Sequence, residues 1–116
     1  MSRVSQINIK FHLTEENYLE SIEWASTDGP NANEYSNAKA ILFSLFDKES
    51  KDTLKIDLWT TDMQVMEMDR FFFQTLKALS DTYFKATNNS ELASKMQSFA
   101  RYFGEETQII PRESEN

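Results

Sequence analysis

TLKIDLWTTDMQVMEMDRFFFQTLKALSDTYFKA, residues Thr53 to Ala86, decides how the rest of this 116-residue chain is read. Its first part alternates: Leu54, Ile56 and Leu58 point one way and Lys55, Asp57 and Trp59 the other, which is the period of a strand. Its second part repeats at three- and four-residue steps, placing Met68, Phe71, Phe72, Thr75, Leu76, Leu79, Tyr83 and Ala86 on one helical stripe. Glu67, Asp69, Arg70, Gln74, Lys77, Asp81 and Lys85 fall largely outside it, so the helix has a core face and a wet face. Phe73 and Phe84 share a side off the stripe, where they widen the core or make a second contact. Between strand and helix, Thr61 and Gln64 have capping-box spacing, and Asp62 sits at the positive end of the helix dipole.

Upstream, Gln6 to Leu13 alternates strictly, with Ile7, Ile9, Phe11 and Leu13 on one face and Gln6, Asn8, Lys10 and His12 on the other. A short polar turn leads to Tyr18–Ser26, where Ile22 and Trp24 share a face with Glu20. That connection is too short for a parallel crossover, so these two strands pair as an antiparallel hairpin. Thr27 to Asn37 holds a Gly-Pro step and three asparagines and reads as a mobile surface loop, either a binding loop or a plain connection. Ala38 to Phe46 is a nearly continuous apolar run that periodicity alone leaves open between strand and helix. The polar turn Asp47–Asp52 and the clear strand after it make a second hairpin the economical reading. If Ile41, Phe43 and Leu45 face the helices, Leu42 and Phe46 lie on the other side of the sheet, near Trp59, with Trp24 as a further candidate. An apolar patch outside the helix layer is the signature of an interface.

Downstream, Asn88-Asn89-Ser90 breaks the helix and starts another, with Asn88 and Glu91 at capping-box spacing. Leu92, Met96, Phe99 and Phe103 carry the apolar stripe of this second helix, and Ala93 and Ala100 let it lie close to a neighbour. Gly104 is expected to end it as a left-handed C-cap, and Glu105–Asn116 reads as a flexible acidic tail. The expected architecture is α+β: a four-stranded antiparallel sheet of two hairpins, then two helices packed on one face, in a single domain over residues 1–104.

Composition narrows the function. A net charge of −7 with scattered cations disfavours nucleic acid and anionic membrane surfaces. The absence of cysteine excludes disulfides and thiolate chemistry, and the alternating N-terminus carries no apolar run suited to export or membrane insertion, so a cytoplasmic location is expected. Catalysis fails on inventory: the sole histidine, His12, is in the polar phase of its strand, and the only glycines, Gly29 and Gly104, cannot build a phosphate loop or a nucleophile elbow. Asp47, Glu49 and Asp52 echo a calcium loop but lack its spacing and central glycine. Asp57 and Asp62 flank Trp59 and serve as an acid pair only if they share a cleft. Asn88-Asn89-Ser90 matches a glycosylation acceptor, a reading that would require export. No cofactor or metal is expected. The surplus of aromatics beyond one core suits a protein interface, or alternatively a pocket for a small apolar ligand.

The segments LKIDLWTTDM (Leu54–Met63), RFFFQTLKALSDTYFKAT (Arg70–Thr87), KAILFSLFD (Lys39–Asp47) and FARYF (Phe99–Phe103) resemble the GldC family of gliding-motility proteins of Bacteroidota. The resemblance covers almost the whole domain, and IDLWT (Ile56–Thr60) followed at once by the helix is its most specific part. The chain departs from that pattern at Gln64, where a proline is usual, and at Phe73, where a histidine is usual. The second departure argues against required histidine chemistry at that position. The resemblance implies an accessory protein of surface gliding with no catalytic residues, working with protein partners of the motility and secretion machinery. An interaction module is therefore expected, with Trp24, Leu42, Phe46 and Trp59 as candidate interface residues; homodimerisation through an exposed sheet face or edge fits the same features. Attachment to the inner membrane, on this reading, comes through a partner.

Overall fold

The computed structural model describes residues 2–112. In chain order it contains β1 (Ile7–Leu13), β2 (Leu19–Ser26), β3 (Ser36–Ala38), β4 (Ala40–Phe46), β5 (Thr53–Trp59), α1 (Val65–Thr87) and α2 (Ser90–Glu106). The class is α+β, with every strand pairing antiparallel. Five strands occur in two sheets, β1-β2-β3 and β4-β5, where alternation alone had indicated four strands in one sheet. The chain divides into two compact units that adjoin at Met63 and Gln64.

In the strand unit the added element is the three-residue β3, at the end of the stretch read as a loop. It exists because β2 has a second free edge: Ile22, Glu23 and Trp24 pair with Ala38, Asn37 and Ser36. Ile22 thereby lies between Phe11 and Ala38 and is the large side chain most completely withdrawn from water, at 1% exposure. A bulge between His12 and Leu13 shifts the β1–β2 register so that Leu19, not Glu20, stands opposite Leu13. The shift puts a leucine instead of a carboxylate beside the apolar phase of β1, and Leu19 is buried. The segment before β3 is organised by turns, with Asn33 donating its backbone N–H to the Ser26 carbonyl and Gly29 at φ 97°.

β4 and β5 form the expected hairpin, with Ile41 opposite Leu58, Phe43 opposite Ile56 and Leu45 opposite Leu54. Its turn is held by Asp47, whose Oδ2 accepts the backbone N–H groups of Ser50 at 2.8 Å and Glu49 at 3.2 Å. Those bonds, with the Ser50 N–H foremost, hold the Asp47 carboxyl below the usual aspartate range. The acidic turn is thus an Asx turn, with Lys51 in the left-handed region at φ 61°. After β5, the Thr60 and Thr61 N–H groups donate to the carbonyls of Lys39 and Leu19 at 2.8 and 3.0 Å. These bonds tie the end of the second sheet back to the first, and Thr60 is buried at 2% exposure.

The helical unit is a hairpin of α1 and α2. The capping box predicted at Thr61 and Gln64 falls three residues later: Gln64 is the N-cap, and its backbone N–H donates to Glu67 Oε1 at 3.0 Å. Asn88 closes α1 as a left-handed C-cap at φ 62°, and Asn89, not Asn88, caps α2 by accepting the Leu92 N–H at 3.1 Å. One asparagine therefore ends a helix and the next begins one. Gly104 is not a C-cap. It lies inside α2, which continues to Glu106, and the left-handed residue beyond the helix is Gln108 at φ 63°.

The position of Gly104 has a packing reason. The buried residues of the two helices are Ser80 on α1 and Ala93, Ala100 and Gly104 on α2, so the seam is built from small side chains. A Cβ on Gly104 would stand 2.6 Å from Phe73 Cε1, so glycine makes the notch for that ring. Phe73, off the apolar stripe in the sequence, makes the second contact. The packing of α1 on α2 does not cover Leu79, Leu92 and Phe99, which lie on the stripes themselves. The backbone after α2 turns back, the Ile109 and Ile110 N–H groups donating to the Gly104 carbonyl at 2.9 and 3.2 Å. The last four residues of the predicted acidic tail, 113–116, lie outside the described residues.

Candidate interaction surface

Strand alternation gives the β4–β5 hairpin two chemically different faces. One carries the ladder Ile41–Leu58, Phe43–Ile56 and Leu45–Leu54 and has no polar member. The other pairs Ala40 with Trp59, Leu42 with Asp57, Ser44 with Lys55 and Phe46 with Thr53, so apolar and polar groups interleave. On this mixed face Trp59 is 57% and Phe46 71% exposed, and Leu42 is at the margin of exposure. The Lys55 ammonium lies 3.2 Å from Asp57 Oδ2, placing an ion pair among these side chains.

Three of the four residues singled out from the sequence, Leu42, Phe46 and Trp59, thus share the mixed face of one hairpin. Trp24 belongs to the other sheet, opposite Ile9 on one side and Ser36 on the other. It borders a shallow hollow of about 230 Å³ with Ile7, Ile9, Ile22, Ala38, Ala40 and Ile41, so it stands with the aliphatic ladder's end of the sheet. Within the strand unit nothing covers that ladder: Phe43, Leu45, Leu54, Ile56 and Leu58 are all exposed, Leu54 at 61%. Period tells which residues share a face; it carries no signal of what covers that face.

The carboxylates beside Trp59 have separate partners. Asp57 faces Lys55, whereas Asp62 Oδ1 accepts the Thr60 hydroxyl at 2.6 Å and Oδ2 lies 3.8 Å from Lys39 Nζ. The Thr60 hydrogen bond first, and the Lys39 charge after it, keep the Asp62 carboxyl below its ordinary value. His12 Nε2 is 3.5 Å from Glu23 Oε2 across the β1–β2 ladder, with 48% of the histidine side chain exposed. Among the described residues no three of histidine, cysteine, aspartate and glutamate gather as metal ligands. A second hollow, of about 350 Å³, lies in the helical unit beside Phe73, between Lys77, Gln97 and Arg101 and the returning Ile110–Pro111 segment. No helix among the described residues is long and apolar enough to cross a membrane.

The arrangement defines a class: an acidic α+β protein whose surface offers apolar and aromatic contact faces. Residues 19–109 match the family described as gliding motility-associated protein GldC-like, and the chain belongs to that family. The match spans β2 to the residues just past α2, including both faces of the β4–β5 hairpin. No curated protein and no solved structure matches the chain.

Proposed function

We propose that this gliding motility-associated protein is a non-enzymatic interaction module that docks a protein of the motility machinery on the mixed face of β4–β5. The observation that carries this is the exposure of Trp59 beside Phe46 and Leu42, interleaved with Asp57 and Lys55. Partner interfaces that form and dissolve combine aromatic anchors with a polar surround, and tryptophan is the residue most often found at their energetic centre. Family membership supplies the cellular setting. The protein acts in the cytoplasm and reaches the inner membrane through its partner.

Affinity capture of the tagged protein from its own cells tests this, with wild type beside Trp59→Glu and soluble and detergent-extracted fractions analysed separately by mass spectrometry. Wild type recovers motility or secretion components, and Trp59→Glu, with unchanged circular dichroism, loses them. Recovery of the same components by both proteins overturns the proposed surface.

A further inference from the structure

The helical unit builds a hollow entirely from its own residues. Phe73 and Lys77 stand one turn apart on α1, and Arg101 and Glu105 one turn apart on α2, so each helix turns a pair to one side. Ala100 and Gly104, buried in the seam, let the two pairs come close. The Ile109 and Ile110 N–H groups, held by the Gly104 carbonyl, bring Ile110 and Pro111 back as a further wall. The enclosed space is about 350 Å³, and every residue lining it lies within α1, α2 or the turn after them.

Its chemistry is divided. Phe73, Ala100, Ile110 and Pro111 offer apolar and aromatic surface, while Lys77 and Arg101 set two cations against the single carboxylate of Glu105. In a chain of net charge −7, that local excess of positive charge runs against the average. The Lys77 ammonium, with three donors, makes no ion pair among the described residues.

We infer that this hollow binds a small organic monoanion, a carboxylate on a single-ring or short aliphatic body. The apolar body packs on Phe73, Ile110 and Pro111, and the carboxylate reaches Lys77 and Arg101 as a charge-assisted acceptor. The volume lies at the lower end of the roughly 300–1,000 Å³ of ligand sites, which suits a body of that size. Glu105 selects against a second acid group, since that group would meet a like charge. The site belongs to the helical unit and stands or falls independently of docking on β4–β5.

Proton–nitrogen correlation NMR of the full chain, titrated with phenylbutyrate beside its uncharged amide, phenylbutyramide, tests the inference. Phenylbutyrate is expected to shift the backbone amides of Phe73, Lys77, Ala100 and Arg101 saturably, with a Kd of about 1 mM or tighter. The amide is expected to bind about fivefold more weakly, Lys77→Gln to weaken the acid by a similar factor, and Lys77→Arg to keep it. Arg101→Gln gives a second reading of the same charge effect. Shifts that do not saturate, or that fall in the strand unit instead, overturn the site. Equal binding of acid and amide, or wild-type affinity in a folded Lys77→Gln protein, overturns the assignment of an anion.

Discussion

Gly104→Ala sets two effects of known size against each other. Inside a helix alanine is favoured over glycine by about 1 kcal/mol, and on that ground alone the substitution would stabilise α2. The new methyl, however, would lie 2.6 and 2.7 Å from Cε1 and Cδ1 of Phe73 and 3.0 Å from Cγ1 of Ile110. Ordinary contact begins near 3.4 Å, so the aromatic ring or the helix has to withdraw. Overpacking of this kind costs about 1–3 kcal/mol, which leaves a net destabilisation of about 1 kcal/mol, or roughly 4 °C in Tm. Urea denaturation followed by far-ultraviolet circular dichroism measures it, with Phe73→Ala completing a double-mutant cycle. Without the ring, the sign reverses and Gly104→Ala stabilises by about 1 kcal/mol. Stabilisation by Gly104→Ala in the wild-type background would refute the notch, because it would mean that the ring yields at no cost.

Other perturbations read other parts of the structure. Asn89→Ala removes the acceptor of the Leu92 N–H and is expected to cost about 1 kcal/mol in thermal unfolding; Asn88→Ala acts on the left-handed C-cap instead and also destabilises. Lys51→Gly relieves a left-handed lysine at φ 61° and is expected to stabilise by about 0.5 kcal/mol after the added freedom of the unfolded chain, whereas Lys51→Val destabilises. The Asp62 carboxyl titrates below its ordinary value, so its contribution to stability is present above that value and is lost as pH falls through the lowered one. Carboxyl NMR should show Thr60→Val moving the Asp62 titration upward and Thr60→Ser leaving it low; no movement in Thr60→Val would remove the hydroxyl as the cause.

The elements were legible because each is a periodic property of consecutive residues. Alternation in Ile7–Leu13 and Thr53–Trp59, and the three- and four-residue steps after Val65, show which side chains share a face without reference to any distant segment. The same alternation put Leu42, Phe46 and Trp59 on one side of the hairpin, where the β4–β5 register has them. Trp24 could not be placed this way, since its sheet is set by pairing with β1 and β3. β3 itself is three residues without a period, formed because the free edge of β2 offers hydrogen bonds to whatever backbone arrives there. The bulge that exchanges Glu20 for Leu19 opposite Leu13 belongs to two strands at once and so to neither segment's pattern. Gly104 followed by polar residues reads locally as a helix end; only the arrival of Phe73 from the other helix makes it a notch. Sequence alone thus determined the faces, because these follow from spacing along one chain segment. The tertiary structure decided which strands pair and how the two helices meet within each unit, because contact depends on atoms that come from elsewhere in the chain.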